Sequence, residues 1–150
     1  MSANSTITRA LAALAISGFA CFAVPSPSSA APGSDKWVAP PNANAKANPL
    51  PASATSNGLG EKLYFRECLS CHGKKGAGDG PKAGELTVAP GNLTTSDFQN
   101  QSDGALFWKI SNGRKPMPSF KTAFSEEERW QMVNYLRTLG GRSAISRSAR

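Results

Sequence analysis

Histidine is all but absent from this chain, with His72 the only one among 150 residues. A four-ligand zinc site would draw on more Cys or His than the chain can place together, since its cysteines are only Cys21, Cys68 and Cys71. The apolar run at 10–24 is 15 residues long, short of the ~20 that a spanning helix needs. No stretch alternates apolar and polar residues as a half-buried strand does, and no internal repeat is found. Side chains that could act as nucleophile, acid and base do not gather into any recognisable constellation. Acidic residues are also few, 10 against 17 Lys and Arg.

The chain opens with the form of a secretory signal peptide at 1–30. Arg9 supplies the positive end, 10–24 the apolar stretch, and Ser28, Ser29 and Ala30 the small residues before a cut. Cleavage after Ala30 is expected, which places the mature protein in the periplasm. An uncleaved anchor is the second reading, and in that case alone would the chain touch a membrane directly. Lipidation at Cys21 is discounted, because Gly18, Phe19 and Ala20 fit a lipoprotein motif poorly. Removal of the leader takes Cys21 with it and leaves two cysteines. It also leaves 16 Lys and Arg against 10 acidic residues, a formal +6. Such a surface suits an acidic partner. Nucleic acid is not an expected partner, since no aromatic-basic motif is present.

Residues 31–56 carry Pro32, Pro40, Pro41, Pro49 and Pro51 among Ala, Asn and Ser. That composition buries little and reads as an extended linker or disordered tail. The folded unit is expected at 57–140, followed by a disordered basic tail at 141–150. Within it three helices stand out. The first is expected at 58–71, with Leu59, Leu63 and Tyr64 near one face. The second is expected at 103–112, with a cap at Ser102 or Asp103 and Gly113 at its exit. The third follows a capping box of Ser125 and Glu128, and Trp130, Val133 and Leu136 form its buried stripe. The fold class is therefore all-α with long loops.

The chemistry concentrates in Cys68-Leu69-Ser70-Cys71-His72. A Cys-x-x-Cys-His run is the attachment signal for a c-type haem: two thiols add to the haem vinyl groups as thioethers, and the next residue turns its imidazole to the iron. A thioredoxin-like redox pair would need a strand-helix-strand setting that this chain lacks. A plain disulfide would leave His72 unexplained. One covalent haem c, with its iron, is the cofactor expected. With no second histidine, the other axial ligand is to be sought among Met117, Met132, a lysine, a tyrosine or water. Met117 is favoured, because Pro116 and Pro118 stiffen its loop on both sides. Met132 falls within an amphipathic helix and reads as core.

These signals together resemble small bacterial class I (monohaem) cytochromes c, similar to cbb3-type cytochrome c oxidase subunit III domains, over about 58–140. The resemblance implies a cytochrome c-like fold of three to five helices with long loops around one haem. It implies that Pro90 offers the carbonyl that accepts from His72, and that Leu93 packs beside the haem. It also implies that Gly60 and Tyr64 meet Met132 and Tyr135, where first and last helices touch, and that the Gly-rich segment 73–81 is a turn-rich loop. Lys74, Lys75, Lys82, Lys109, Lys115 and Lys121 could then surround the exposed haem edge and steer an acidic redox partner. Trp108 and Arg114 are candidates for a propionate, with core packing and a solvated loop cation as the other readings. The function expected is one-electron transfer by a monomeric carrier between respiratory or dehydrogenase partners, not an enzymatic reaction. The alternatives are a haem subunit of a dehydrogenase or oxidase complex, or an open-site haem peroxidase or gas sensor.

Overall fold

The computed structural model describes residues 36–141. The expected signal peptide, the first part of the expected linker and residues 142–150 of the basic tail lie outside the described residues. Within them the chain forms six α-helices and one 3-10 turn, Ala83–Glu85, and no strand. We number the helices α1 (Pro41–Asn44), α2 (Ala54–Glu67), α3 (Leu69–His72), α4 (Ser96–Gln99), α5 (Asp103–Asn112) and α6 (Glu126–Leu139). The all-α expectation holds, and three of the helices are single turns.

Helix α5 has the expected bounds. The Ser102 side chain accepts from the Ala105 N–H at its start, and Gly113 leaves it at φ 65, a conformation that glycine adopts without a Cβ clash. Helix α6 carries both halves of its capping box: the Ser125 hydroxyl accepts from Glu128 N–H, and the Glu128 carboxylate accepts from Ser125 N–H. The first long helix departs from expectation at both ends. The Ser53 side chain caps it by accepting from Ser56 N–H, so it starts at Ala54, and it stops at Glu67. Cys68 then caps the end of one helix and the start of the next.

The core lies where α2 crosses α6 and α6 meets α5. Leu63, Tyr64, Leu106, Ile110, Trp130, Val133 and Leu136 are buried there, and Phe107 stacks on Trp130 with centroids 4.1 Å apart. Gly60 permits the close crossing. A Cβ there would sit 2.1 Å from the Gln131 carbonyl oxygen and 2.9 Å from Tyr135 Cβ. The implied first-to-last helix contact is thus present through Gln131 and Tyr135, with the Tyr64 and Tyr135 rings 5.2 Å apart. Met132 is 1% exposed, which agrees with its reading as core.

Gly60→Ala has opposing effects on stability. Alanine gains ~1 kcal/mol of helix propensity over glycine, but forcing a methyl into backbone at this distance costs about 1–3 kcal/mol or more. The steric term wins, because a carbonyl oxygen cannot move aside without parting the helices. Urea unfolding of the haem-loaded protein should show a lower midpoint at unchanged slope; an equal or higher midpoint would mean that the crossing is looser than described.

The segment 36–56 differs from its expected role as a linker. Ala39 is 4% exposed, and the Asn44 side chain donates to its carbonyl at 2.9 Å. Lys46 pairs with Glu126 at 2.6 Å and lies over the Phe107 ring at 4.6 Å. The Asn48 amide donates to Asn134 Oδ1 at 2.8 Å. These residues form a strap across α5 and α6. Composition pointed elsewhere because the strap is held by polar side chains and backbone, with almost no apolar stripe to betray it. Gly104 shows how close it lies: a Cβ there would fall 2.0 Å from the Ala43 carbonyl oxygen.

Candidate haem site

Cys68, Cys71 and His72 stand at positions i, i+3 and i+4, which share one face of a helical turn. The turn is real: Cys71 and His72 N–H both donate to the Cys68 carbonyl, at 3.2 and 2.9 Å, and Gly73 N–H donates to Leu69. Helix α3 would otherwise leave its last carbonyls without partners. The glycine-rich loop doubles back and supplies them. Gly80 N–H donates to Cys71, Gly78 N–H to His72 and Lys82 N–H to Ser70. Gly73, Gly76 and Gly78 have φ of 78, 78 and 82, so the loop has the turn-rich form that the resemblance implied. Tyr64, fully buried, donates its hydroxyl to the Gly73 carbonyl at 2.6 Å and ties the motif's exit to α2.

His72 Nδ1 lies 3.1 Å from the Gly91 carbonyl oxygen. A carbonyl only accepts, so Nδ1 carries the proton and Nε2 keeps its lone pair for a metal. Burial lowers the His72 pKa, opposed by the weaker effect of the Gly91 bond. Both the tautomer and the charge state suit a neutral ligand. This corrects the expectation for Pro90. The acceptor is the next residue, Gly91, because the Pro90 carbonyl faces Gly78, only 2.6 Å from where a Cβ of Gly78 would be. Leu93 is buried in the core, and its N–H donates to Gly76 at 2.7 Å. The segment 90–93 thereby lies along the glycine loop. Gln99, which the sequence gave no reason to single out, secures its far end. Its side-chain amide donates to the carbonyls of Leu93 and Leu136, at 2.8 and 2.9 Å.

Cys68 and Cys71 are both free thiols. Burial, helped by Glu67 and Cys71, pushes the Cys68 pKa up to about 12. A thiol so far from ionising is not the activated nucleophile of a redox pair. Among the described residues no group of three or more His, Cys, Asp or Glu could hold a metal ion. Two free thiols beside an imidazole with a free Nε2 fit a covalently held haem. Cys68 and Cys71 would hold it and His72 Nε2 would ligate its iron. Haem c supplies a one-electron Fe(II)/Fe(III) couple when bound.

Met117 comes from a different part of the chain. Its N–H and carbonyl pair with the carbonyl and N–H of Arg114, at 2.9 and 3.0 Å, in a turn fixed to the end of α5 by a Phe120 N–H bond to the Ile110 carbonyl. Met117, Cys68 and Leu69 are all half-buried and pack against the same hydrophobic core. Trp108 is half-buried against Trp37. Arg114 lies over the Trp37 ring, 5.2 Å from its centroid. Five of the six lysines singled out (Lys74, Lys75, Lys82, Lys115 and Lys121) are exposed, whereas Lys109 is half-buried. Burial, then the nearby Arg114, lowers the Lys109 pKa.

A family profile described as cytochrome C oxidase, cbb3-type, subunit III matches residues 57–136. Among solved structures, a chain of the Kuenenia stuttgartiensis reducing HAO-like protein complex Kustc0457/Kustc0458 is similar, with 32% identity and a TM-score of 0.56. The match covers 63% of this chain and 49% of that one, so it spans about half of that protein's length. The KustC0563 c-type cytochrome is 29% identical over 53% of this chain and 95% of its own, with a TM-score of 0.45. Comparison with curated proteins gives no match. The thiol pair, the oriented histidine and the profile agree, and the chain belongs to the cbb3-type cytochrome c oxidase subunit III family of c-type cytochromes, an electron-transfer haem protein.

Proposed function

We propose that this chain is an exported, periplasmic one-electron carrier, holding a single haem between His72 and Met117. The observation that carries the reading is the shared face of Cys68, Cys71 and His72 with Nδ1 already bonded to Gly91. His72 enters the site pre-oriented, so little reorganisation is asked of the protein around the iron. Met117 supports the second ligand position by its half-buried place against the core that also packs Cys68. Thioether sulfur opposite imidazole raises the reduction potential and fills both axial positions, which favours electron exchange over substrate binding. The exposed Lys74, Lys75, Lys82, Lys115 and Lys121 would steer a redox protein with an acidic docking surface, and the carrier is proposed to work as a monomer.

A second reading has the chain as a subunit of a larger assembly, since one similar structure is titled as a protein complex. Native mass and co-purification separate the two.

Optical spectra of the purified protein in both oxidation states test the proposal as a whole. The ferric form should show the weak red-edge band of a sulfur–iron bond, and the ferrous form should take up carbon monoxide slowly or not at all. A missing band with rapid carbon monoxide binding would replace the carrier reading with an open-site peroxidase or gas sensor.

A further inference from the structure

The strap at 36–48 lies outside the matched region 57–136, yet its first aromatic residue reaches the loop that carries Met117. Trp37 is half-buried and meets Trp108 of α5 edge-on, with centroids 6.3 Å apart at 60°. Two cations approach its ring, Arg114 at 5.2 Å and Lys109 Nζ at 5.5 Å from the centroid. Lys109 is held from its other side by the Gln101 side-chain oxygen. Arg114 is the residue whose backbone pairs in both directions with Met117. A continuous path of contacts therefore runs from the strap, through a ring and a guanidinium, to the backbone of the methionine. The strap is anchored independently further on, by Ala39, Asn44, Lys46 and Asn48, so Trp37 is delivered by a fixed base.

We propose that Trp37 is a positioning residue for the sixth iron ligand, clamping Arg114 and through it the Met117 turn. This rests on the reading of Met117 as that ligand. The attraction of each cation to the ring face is modest at a half-exposed site, but two act on one ring. The ring also offsets the mutual repulsion of Lys109 and Arg114. Without it, Arg114 loses this hold and the Met117 turn opens more often.

Imidazole titration of the full-length ferric haem protein measures this opening, because imidazole takes the sixth position only when methionine leaves it. Trp37→Ala is expected to bind imidazole roughly five- to tenfold more tightly than the parent, with a weaker sulfur–iron band and a lower midpoint potential. Trp37→Phe keeps a ring face and should recover most of the difference. Val38→Ala, at a neighbour that is 70% exposed, should match the parent. Should Trp37→Ala not fold, Trp37→Leu fills the volume without a ring face and carries the same expectation. A strap that only adds stability would lower the melting temperature and leave imidazole affinity within twofold of the parent. That result, with the band present and abolished by Met117→Ala, overturns the clamp alone. A parent protein whose band is missing, or survives Met117→Ala, overturns the axial reading beneath it.

Discussion

In the Cys68→Ser/Cys71→Ser protein, all haem is expected to leave the polypeptide on acid–acetone extraction, whereas the parent keeps its chromophore. The reason is chemical. Two carbon–sulfur bonds survive denaturation, and a single axial nitrogen does not. Either single variant retains one such bond and should keep its colour through extraction. The turn at 68–72 places Cys68, Cys71 and His72 on one face, and the double variant keeps His72, so it can still load haem through that imidazole. Its binding then becomes reversible, and its stability should depend on the concentration of free haem by mass action. For a domain of this size, whose apolar core alone is marginal, a large fall in melting temperature on dilution is expected. Haem that stayed with the double variant after extraction would place the covalent link elsewhere, and a parent protein with no covalent haem would make a plain Cys68–Cys71 disulfide the better reading.

The second large effect is expected at Met117. Met117→Ala should abolish the red-edge band of the ferric protein and open the ferrous iron to carbon monoxide. It should also lower the midpoint potential by on the order of 0.1–0.3 V, within the ~0.8 V range that axial ligands command. Met132→Leu is the matched control. That side chain is buried in α6 among the core residues, so the substitution should cost less than ~1.5 kcal/mol in stability and leave the iron's spectrum alone. An unchanged band in Met117→Ala would show that a different side chain holds the sixth position.

Much of this was legible in the sequence because the relevant signals are local. Cys68, Cys71 and His72 fall within one helical turn, and the caps of α5 and α6 are written in adjacent residues. Periodicity placed the buried stripe of α6 without knowledge of what it packs on. The misreadings concern contacts between distant residues. Asn48 meets Asn134 and Lys46 meets Glu126, pairs that neither composition nor spacing can join, so a proline-rich strap read as a tail. The choice of Gly91 over Pro90 turns on which of two successive carbonyls faces the imidazole. That is settled by the approach of Gly78 to Pro90, a packing fact. Arg137 illustrates the same limit. It is 2% exposed, with Asp103 and the carbonyls of Gln99 and Gln101 as partners, although a cation in a last helical turn ordinarily faces solvent.

The single-turn helix α3 has a consequence for the order in which the protein is assembled. Its capping Cys68, with Cys71 and His72 inside it, comes to one face through bonds spanning three or four residues, which requires almost no loop closure. An attachment enzyme could therefore act on a chain that has no tertiary structure. Met117 follows His72 by 45 positions and reaches the core only with its turn and α5 in place. On the proposed ligation its arrival at the iron would then be a late event, and the colour change that accompanies it a built-in clock for the folding of the rest.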